Sequence, residues 1–267
     1  MKNSAEEKVS KFYNEAGWES EKDITEDARR WEDLRENAKD YVSKCRLRIL
    51  RHIPAKGENM LDMASGPIQY DEYLEFSRNF NKRYCIDLSS KALVDAKKRI
   101  GDHGVFLCGS FFNIDLDENF FDCSISLHTI YHMDKNSQEE AVRKLVSVTR
   151  PGKPVIIIYG NPDAFKEYLP GRLFKRLKRK IKPKTKTESD SDLYYYAHPV
   201  SWWKCFEDIA EVNILPWRSF NSKDQKKLIP DNQFGKLLFK ILFYLEDEFP
   251  GFFSRKSQYP MIVLTKR

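Results

Sequence analysis

No stretch of this 267-residue sequence approaches the roughly 20 uninterrupted apolar residues needed to cross a bilayer, which excludes a membrane-spanning helix. The segment Met1 to Lys11 is polar and mixed in charge, without the apolar core and small-residue cleavage site of a secretory signal, so a cytoplasmic location is expected. Cysteine is scarce: Cys45, Cys85, Cys108, Cys123 and Cys205 are an odd number with no close pairs. Neither a disulfide framework nor a zinc site is expected from them, and they read as buried thiols. No internal repeat is visible. What is present is 41% hydrophobic and 32% charged residues, a globular composition long enough for one large α/β domain, or a domain with a modest cap.

The net charge of +6 is mild but concentrated. Between Arg172 and Lys186 lie nine basic residues and no acid. Three readings are open for this run: a solvated helix face, a site for an anionic or lipid-linked acceptor at a membrane surface, and nucleic-acid binding. Leu173, Phe174, Leu177 and Ile181 recur at helical steps, which favours the first two.

Residues 5 to 50 read as helical, with Trp31, Leu34, Ala38, Tyr41, Val42 and Cys45 recurring at three- and four-residue steps. After Pro54 and Gly57 the pattern becomes apolar run, small-residue turn, helix. Strands are expected at Asn59 to Met63, Arg83 to Asp87, Val105 to Cys108, Phe121 to Leu127 and Val155 to Tyr159, with Ser89 capping a helix to Ile100 and another helix from Ser137 to Thr149. The alternation breaks from Asn161 to His198, an expected insertion or cap. It resumes with a helix at Trp202 to Ile209, a strand at Glu211 to Pro216, a helix at Asn232 to Asp247 and a strand at Met261 to Thr265. This alternation implies an α/β fold: a three-layer, Rossmann-like, seven-stranded and mostly parallel sheet, in which ligands lie at the carboxyl ends of the strands. The expected organisation is a helical N-terminal lid (1–50), a main domain (51–160 and 199–267) and the inserted cap (161–198) with its basic helix.

The strand ends carry the chemistry. Asp62-Met63-Ala64-Ser65-Gly66-Pro67 follows the first strand, and its small side chains let backbone approach a ligand. It holds one glycine, fewer than the dinucleotide fingerprint needs, and Pro67 is ill placed for gripping a pyrophosphate. Asp87, followed by Leu88, closes the second strand 25 positions after Asp62, where a carboxylate can accept from ribose hydroxyls or cap the next helix. Gly109-Ser110-Phe111 follows the third strand and could hold an adenine. Leu127-His128-Thr129-Ile130-Tyr131-His132 ends the fourth.

In that order these pieces resemble the class I S-adenosylmethionine-dependent methyltransferases, in particular the small-molecule branch of the ubiquinone-biosynthesis type. The resemblance covers about residues 58 to 160. It implies that Leu61 to Gly66 contacts the amino-acid end of S-adenosylmethionine, that Asp87 binds its ribose, and that Gly109 to Phe111 contacts its adenine. It also implies that Pro151-Gly152-Lys153 ends the helix after the fourth strand. The sequence departs from the family pattern at Ser65, where a second glycine is usual, at Ser110, where an acid is frequent, and in the length of the insertion.

Methyl transfer is an in-line displacement that gains chiefly from positioning, with a base needed only if the acceptor must lose a proton. His128 and His132 are the candidate bases, or else hydrogen-bonded structural groups, and Tyr131 could orient the acceptor. Tyr13 and Trp18 belong to the segment that folds over the cofactor in similar enzymes. Tyr194 to Tyr196 and Trp202-Trp203 could line an acceptor pocket or simply pack. The expected function is methyl transfer from S-adenosylmethionine, leaving S-adenosylhomocysteine, to an oxygen or nitrogen of a small molecule or a saccharide or lipid-linked acceptor. The alternatives are a nicotinamide-dependent oxidoreductase and a non-catalytic, basic RNA-binding protein. No metal is expected, nucleic acid is the less favoured partner, and peripheral contact with an anionic membrane would run through 172–186.

Overall fold

The computed structural model describes residues 3–14, 18, 20–21, 24–164 and 194–267. The basic run 172–186 and most of the expected cap lie outside the described residues. Nine strands are described: β1 (Ser20–Glu21), β2 (Ile24–Thr25), β3 (Gly57–Met63), β4 (Phe80–Asp87), β5 (Gly104–Cys108), β6 (Cys123–Leu127), β7 (Pro154–Ile158), β8 (Ala210–Arg218) and β9 (Tyr259–Lys266). The first two form a short antiparallel ladder, and the other seven form one sheet in the order β5-β4-β3-β6-β7-β9-β8. Only β9 runs against its neighbours, pairing antiparallel with β7 and β8. The seven-stranded, mostly parallel, Rossmann-like sheet with helices on both sides is the expected one.

Alternation along the central strands explains why both of their faces are largely apolar. Leu61, Met63, Val155, Ile157, Ile262 and Leu264 face one core, where they meet Ala141, Val142 and Leu145. Met60, Cys123, Ile125, Ile156, Ile158, Met261 and Val263 face the other, with Ile49, Phe76 and Trp217. Successive side chains point to opposite faces, and both faces are covered, so apolar residues predominate at both register positions, and buried polar ones such as Asp62 and Ser124 are hydrogen-bonded. Each such side chain contributes about 1.5–3 kcal/mol by leaving water.

Helices α1 (Asn3–Phe12), α2 (Glu26–Trp31) and α3 (Glu36–Leu47) precede the sheet. The helical region expected over 5–50 is divided not only near Phe12 to Trp18 but again between α2 and α3. Thr25 caps α2 by accepting from Ala28 N, and Asp33 Oδ1 accepts from Arg35 N at 3.3 Å. Such side chains compete with the helix for its backbone donors and set its ends. Ala38, Tyr41, Val42 and Cys45 pack against Phe239 of the helix Gln233–Glu248, while Trp31 and Leu34 are exposed. This helix pair is tied by the buried Arg48–Glu246 ion pair at 2.7 Å.

Helix α4 (Ser90–Ile100) is capped by Ser89 as expected, and α5 (Gln138–Val148) follows β6. Val200–Phe206 forms a 3-10 helix in place of the α-helix expected over 202–209. Its tighter winding stacks Trp203 and Phe206, three residues apart, on one buried line. Cys45, Cys85 and Cys123 are buried, but Cys108 and Cys205 are exposed, which corrects the expectation that all five are interior.

The chain leaves β3 for β4 on one side and β6 for β7 on the other. The reversal of strand order between β3 and β6 opens a crevice at their carboxyl ends.

Candidate active site

A cavity of about 260 Å³ occupies that crevice. Its floor is the turn after β3, the end of β4, the turn after β5 and the segment after β6. Tyr13, Trp18 and Asp27 from the N-terminal segment reach it from the other side, and Arg218 and Tyr259 of β8 and β9 complete a wall.

The turn after β3 is wound tightly. Ala64, Gly66 and Ile68 have φ of 60°, 54° and 54°, a left-handed conformation that a β-branched residue such as Ile68 rarely adopts. It persists because the turn is tied down from several sides. Ala64 N and Ser65 N both donate to Ile86 O, Gly66 N donates to Asp87 Oδ2 at 2.8 Å, and Ile68 is wholly buried beside Cys85 and Leu93. A Cβ at Gly66 would lie 3.0 Å from the Trp18 ring, so glycine is favoured there by both φ and space. Trp18 stacks on Tyr13 with ring centroids 4.9 Å apart.

Asp87 also accepts from Ser89 N at 2.8 Å. Burial raises its carboxyl to about 6, against the lowering effect of the Ser89 and Gly66 amides. The ribose and cap readings of the sequence are thus not exclusive: one oxygen holds the start of α4, and the residue still lines the cavity.

Past β6, His128 has φ of 59° and its Nδ1 is 2.9 Å from Tyr131 Oη. Its ring meets Trp217 and Tyr259 edge-on, and its Nε2 is buried with no hydrogen-bond partner among the described residues. Burial, with the charge of Arg218 nearby, holds this imidazole well below its usual range, so it is neutral. His132 Nδ1 donates to the carbonyl of Tyr194 at 2.7 Å, since a carbonyl only accepts. In neutral His132 the lone pair is then on Nε2, and burial lowers its basicity.

All but one of the expected site residues line this one cavity: Tyr13, Asp62, Ala64, Ser65, Gly66, Pro67, Asp87, Leu88, Gly109, Phe111, Leu127, His128, Tyr131 and His132. Ser110 is the exception, because its hydroxyl donates to Glu6 of α1 at 2.8 Å. Asp62 lines the cavity, but its carboxylate is committed to the buried guanidinium of Arg83, whose Nε lies 3.0 Å away. Of the suggested acceptor aromatics only Tyr195 reaches the cavity. Trp202 stacks on His198 and Trp203 is core.

Sequence reasoning missed Asp27, Glu32, Tyr70, Tyr73, Arg218 and Tyr259. Arg218 lies two residues past the end read for its strand, and its NH1 donates to Glu32 at 2.7 Å. The signal for it was the Trp217-Arg218 pair at a strand end. Asp27 had none, since it reads as one more charge on a helix. Burial and the neighbouring Glu32 raise its carboxyl to about 7. Among the described residues no group of histidines, cysteines and carboxylates could hold a metal. No described helix is long and apolar enough to cross a membrane.

The family described as "Methyltransferase domain" matches residues 61–157, which span β3 to β7 and the floor of the cavity. No curated protein matches the chain. Among solved structures, the DhpI-SAM-HEP complex aligns at a TM-score of 0.59 with 11% identity, over 99% of both chains. Geranyl diphosphate C-methyltransferase from Streptomyces coelicolor A3(2), complexed with Mg2+, geranyl diphosphate and S-adenosyl-L-homocysteine, aligns at 0.55 with 10% identity, over 99% of this chain and 98% of that one. A SAM-dependent methyltransferase from Archaeoglobus fulgidus aligns at 0.53 with 14% identity, over 85% and 94%. Residues 61–157 match the methyltransferase-domain family, and the chain has the fold of the class I S-adenosylmethionine-dependent methyltransferases, which favours the methyl-donor reading over the nicotinamide one.

Proposed function

We propose that this protein transfers a methyl group from S-adenosylmethionine to an oxygen or nitrogen of a small-molecule acceptor, with both bound in the cavity at the carboxyl ends of β3 to β6. The observation that carries the reading is the convergence there of a strained, glycine-favouring turn, the Asp87 carboxylate and two neutral imidazoles. The neighbours' bound S-adenosylmethionine and S-adenosylhomocysteine support the choice of donor.

The residues present fit that donor. The turn Ala64 to Pro67 would offer closely approachable backbone to its amino-acid end, Asp87 and Leu88 would hold its ribose, and Gly109 and Phe111 would contact its adenine. Tyr13, stacked on Trp18, would cover it. When bound, this group supplies an electrophilic methyl on a sulfonium. The protein's own part is to align the acceptor, exclude water and accept a proton. His132 is the base in this reading, because its Nδ1–H is fixed on the Tyr194 carbonyl and its Nε2 keeps a lone pair. Tyr131 and His128, hydrogen-bonded to each other, orient the acceptor. Burial of these groups makes each hydrogen bond count for more than it would in water.

Titration calorimetry with S-adenosylhomocysteine tests the reading directly. Saturable uptake is expected, and its absence from properly folded protein would sink the proposal.

A further inference from the structure

Of the carboxylates that line the cavity, Glu32 and Asp62 are paired with arginines, Asp87 is held by the Gly66 and Ser89 amides, and Glu6 takes the Ser110 hydroxyl. Glu32 is matched by Arg218 at 2.7 Å and by Arg46 at 3.5 Å, and Arg46 reaches Glu72 at 3.4 Å. Those four charges balance among themselves. Asp27 is left over: among the described residues its only hydrogen bond is from Tyr13 Oη, a long one at 3.4 Å. Arg30 on the same helix points its guanidinium to Glu26 at 2.7 Å. Asp27 lines the cavity together with the rings of Tyr13, Trp18 and Trp31, whose faces carry partial negative charge. A carboxylate withdrawn from bulk water and left unmatched calls for a cation, and aromatic faces reinforce that demand.

We propose that Asp27 is an acceptor-binding residue and that the acceptor is a small organic amine, entering as its ammonium form against Asp27 and the neighbouring rings. This rests on the methyl-transfer reading above and narrows it to nitrogen. An ammonium nitrogen has no lone pair, so one N–H proton passes first to the neutral His132. The freed amine then forms its N–CH3 bond as the methyl–sulfur bond of the donor breaks, with the electron pair left on sulfur and the positive charge on the product nitrogen. His132 returns its proton to solvent. Burial and Glu32 disfavour an unpaired negative charge at Asp27, which is raised to about 7, and an ammonium partner relieves that cost.

The probes are phenethylamine, its neutral counterpart phenethyl alcohol and its anionic counterpart 3-phenylpropanoate, each titrated by calorimetry into protein saturated with S-adenosylhomocysteine. The amine is expected to bind at least ten-fold more tightly than the other two. Asp27→Asn is expected to lose at least ten-fold of the amine affinity, and Asp27→Glu, which keeps the charge, to retain most of it. If 3-phenylpropanoate binds best, the acceptor end belongs to an anion at Arg218, whose Nε has no partner among the described residues, and the amine assignment is overturned. Equal amine binding by wild type and Asp27→Asn overturns it as well. So does uptake of S-adenosylhomocysteine with no binding of the amine. Failure to take up S-adenosylhomocysteine overturns the methyl-transfer reading, and the amine assignment with it. The wild-type comparison of the three probes stands whether or not a variant folds.

Discussion

Gly66 N–H donates to Asp87 Oδ2 at 2.8 Å, which joins the turn after β3 to the end of β4 across the floor of the cavity. The same carboxylate starts α4 through Ser89 N. One side chain therefore ties two strand ends together and anchors the start of the helix that follows the second of them. Substituting it should disturb the pocket before it disturbs the fold.

Asp87→Asn is expected to weaken S-adenosylhomocysteine binding about ten- to a hundred-fold, the equivalent of about 1.5–3 kcal/mol for hydrogen bonds to a charged group. Binding and stability should respond to pH in opposite senses. The folded-state value is raised to about 6, so the stability Asp87 contributes is full below the ordinary aspartate range and is lost as pH rises through about 6. Binding uses the ionised form and weakens as pH falls through about 6. Calorimetric titrations and thermal melts at pH 5 and pH 8 check both slopes. Parallel slopes would contradict the assignment.

Asp62→Ala tests a different role for the first acid of the same turn. It would leave Arg83, which has no solvent exposure, without its carboxylate, with the Tyr73 carbonyl as a remaining partner. Breaking a buried pair from one side costs about 3–5 kcal/mol. Urea denaturation should register that loss for Asp62→Ala and a far smaller one for Asp87→Asn. A normally stable Asp62→Ala protein with impaired cofactor binding would reverse the assignment.

His132→Gln is expected to lower kcat by about a hundred- to ten-thousand-fold, the usual range for a general base, with little change in KM. Burial holds His132 below the ordinary imidazole range. Activity should therefore be level above neutrality and decline only at more acid pH, where the ring becomes charged. In the variant that acid limb should vanish from the pH–rate profile. A limb that survives would point to another group.

The sheet was legible because its strands are buried on both faces, and continuous apolar runs such as Val155 to Ile158 leave little choice of element. The floor of the cavity was legible for a related reason: in a parallel sheet the residues after the strands converge wherever the helices run, so Ala64, Asp87, Gly109 and His128 could be grouped by position alone. Asp27 and Arg218 could not. Asp27 reaches the cavity from a six-residue helix whose placement depends on Thr25 and on contacts across 44 residues, such as Gln69 with Thr25. The role of Asp62 was misleading locally, because the partner that claims it is Arg83, a charge set inside the second strand where the pattern shows only a strand. Side-chain pairing across strands depends on register, which a single run of sequence does not display.

The position of β9 has a bearing on how the pocket comes into being. It lies between β7 and β8, although β8 precedes it in the chain. The only strand partner of β8 in the sheet is β9, while Trp217 and Arg218 are held besides by Ile49, Phe76 and Glu32. The β3 to β7 half can pair in the order in which it is made, offering a floor for the donor. The wall that faces the acceptor therefore hangs on β9, the strand through which β8 joins the sheet. Donor floor and acceptor wall thus belong to different parts of the sheet, joined through the single antiparallel strand β9.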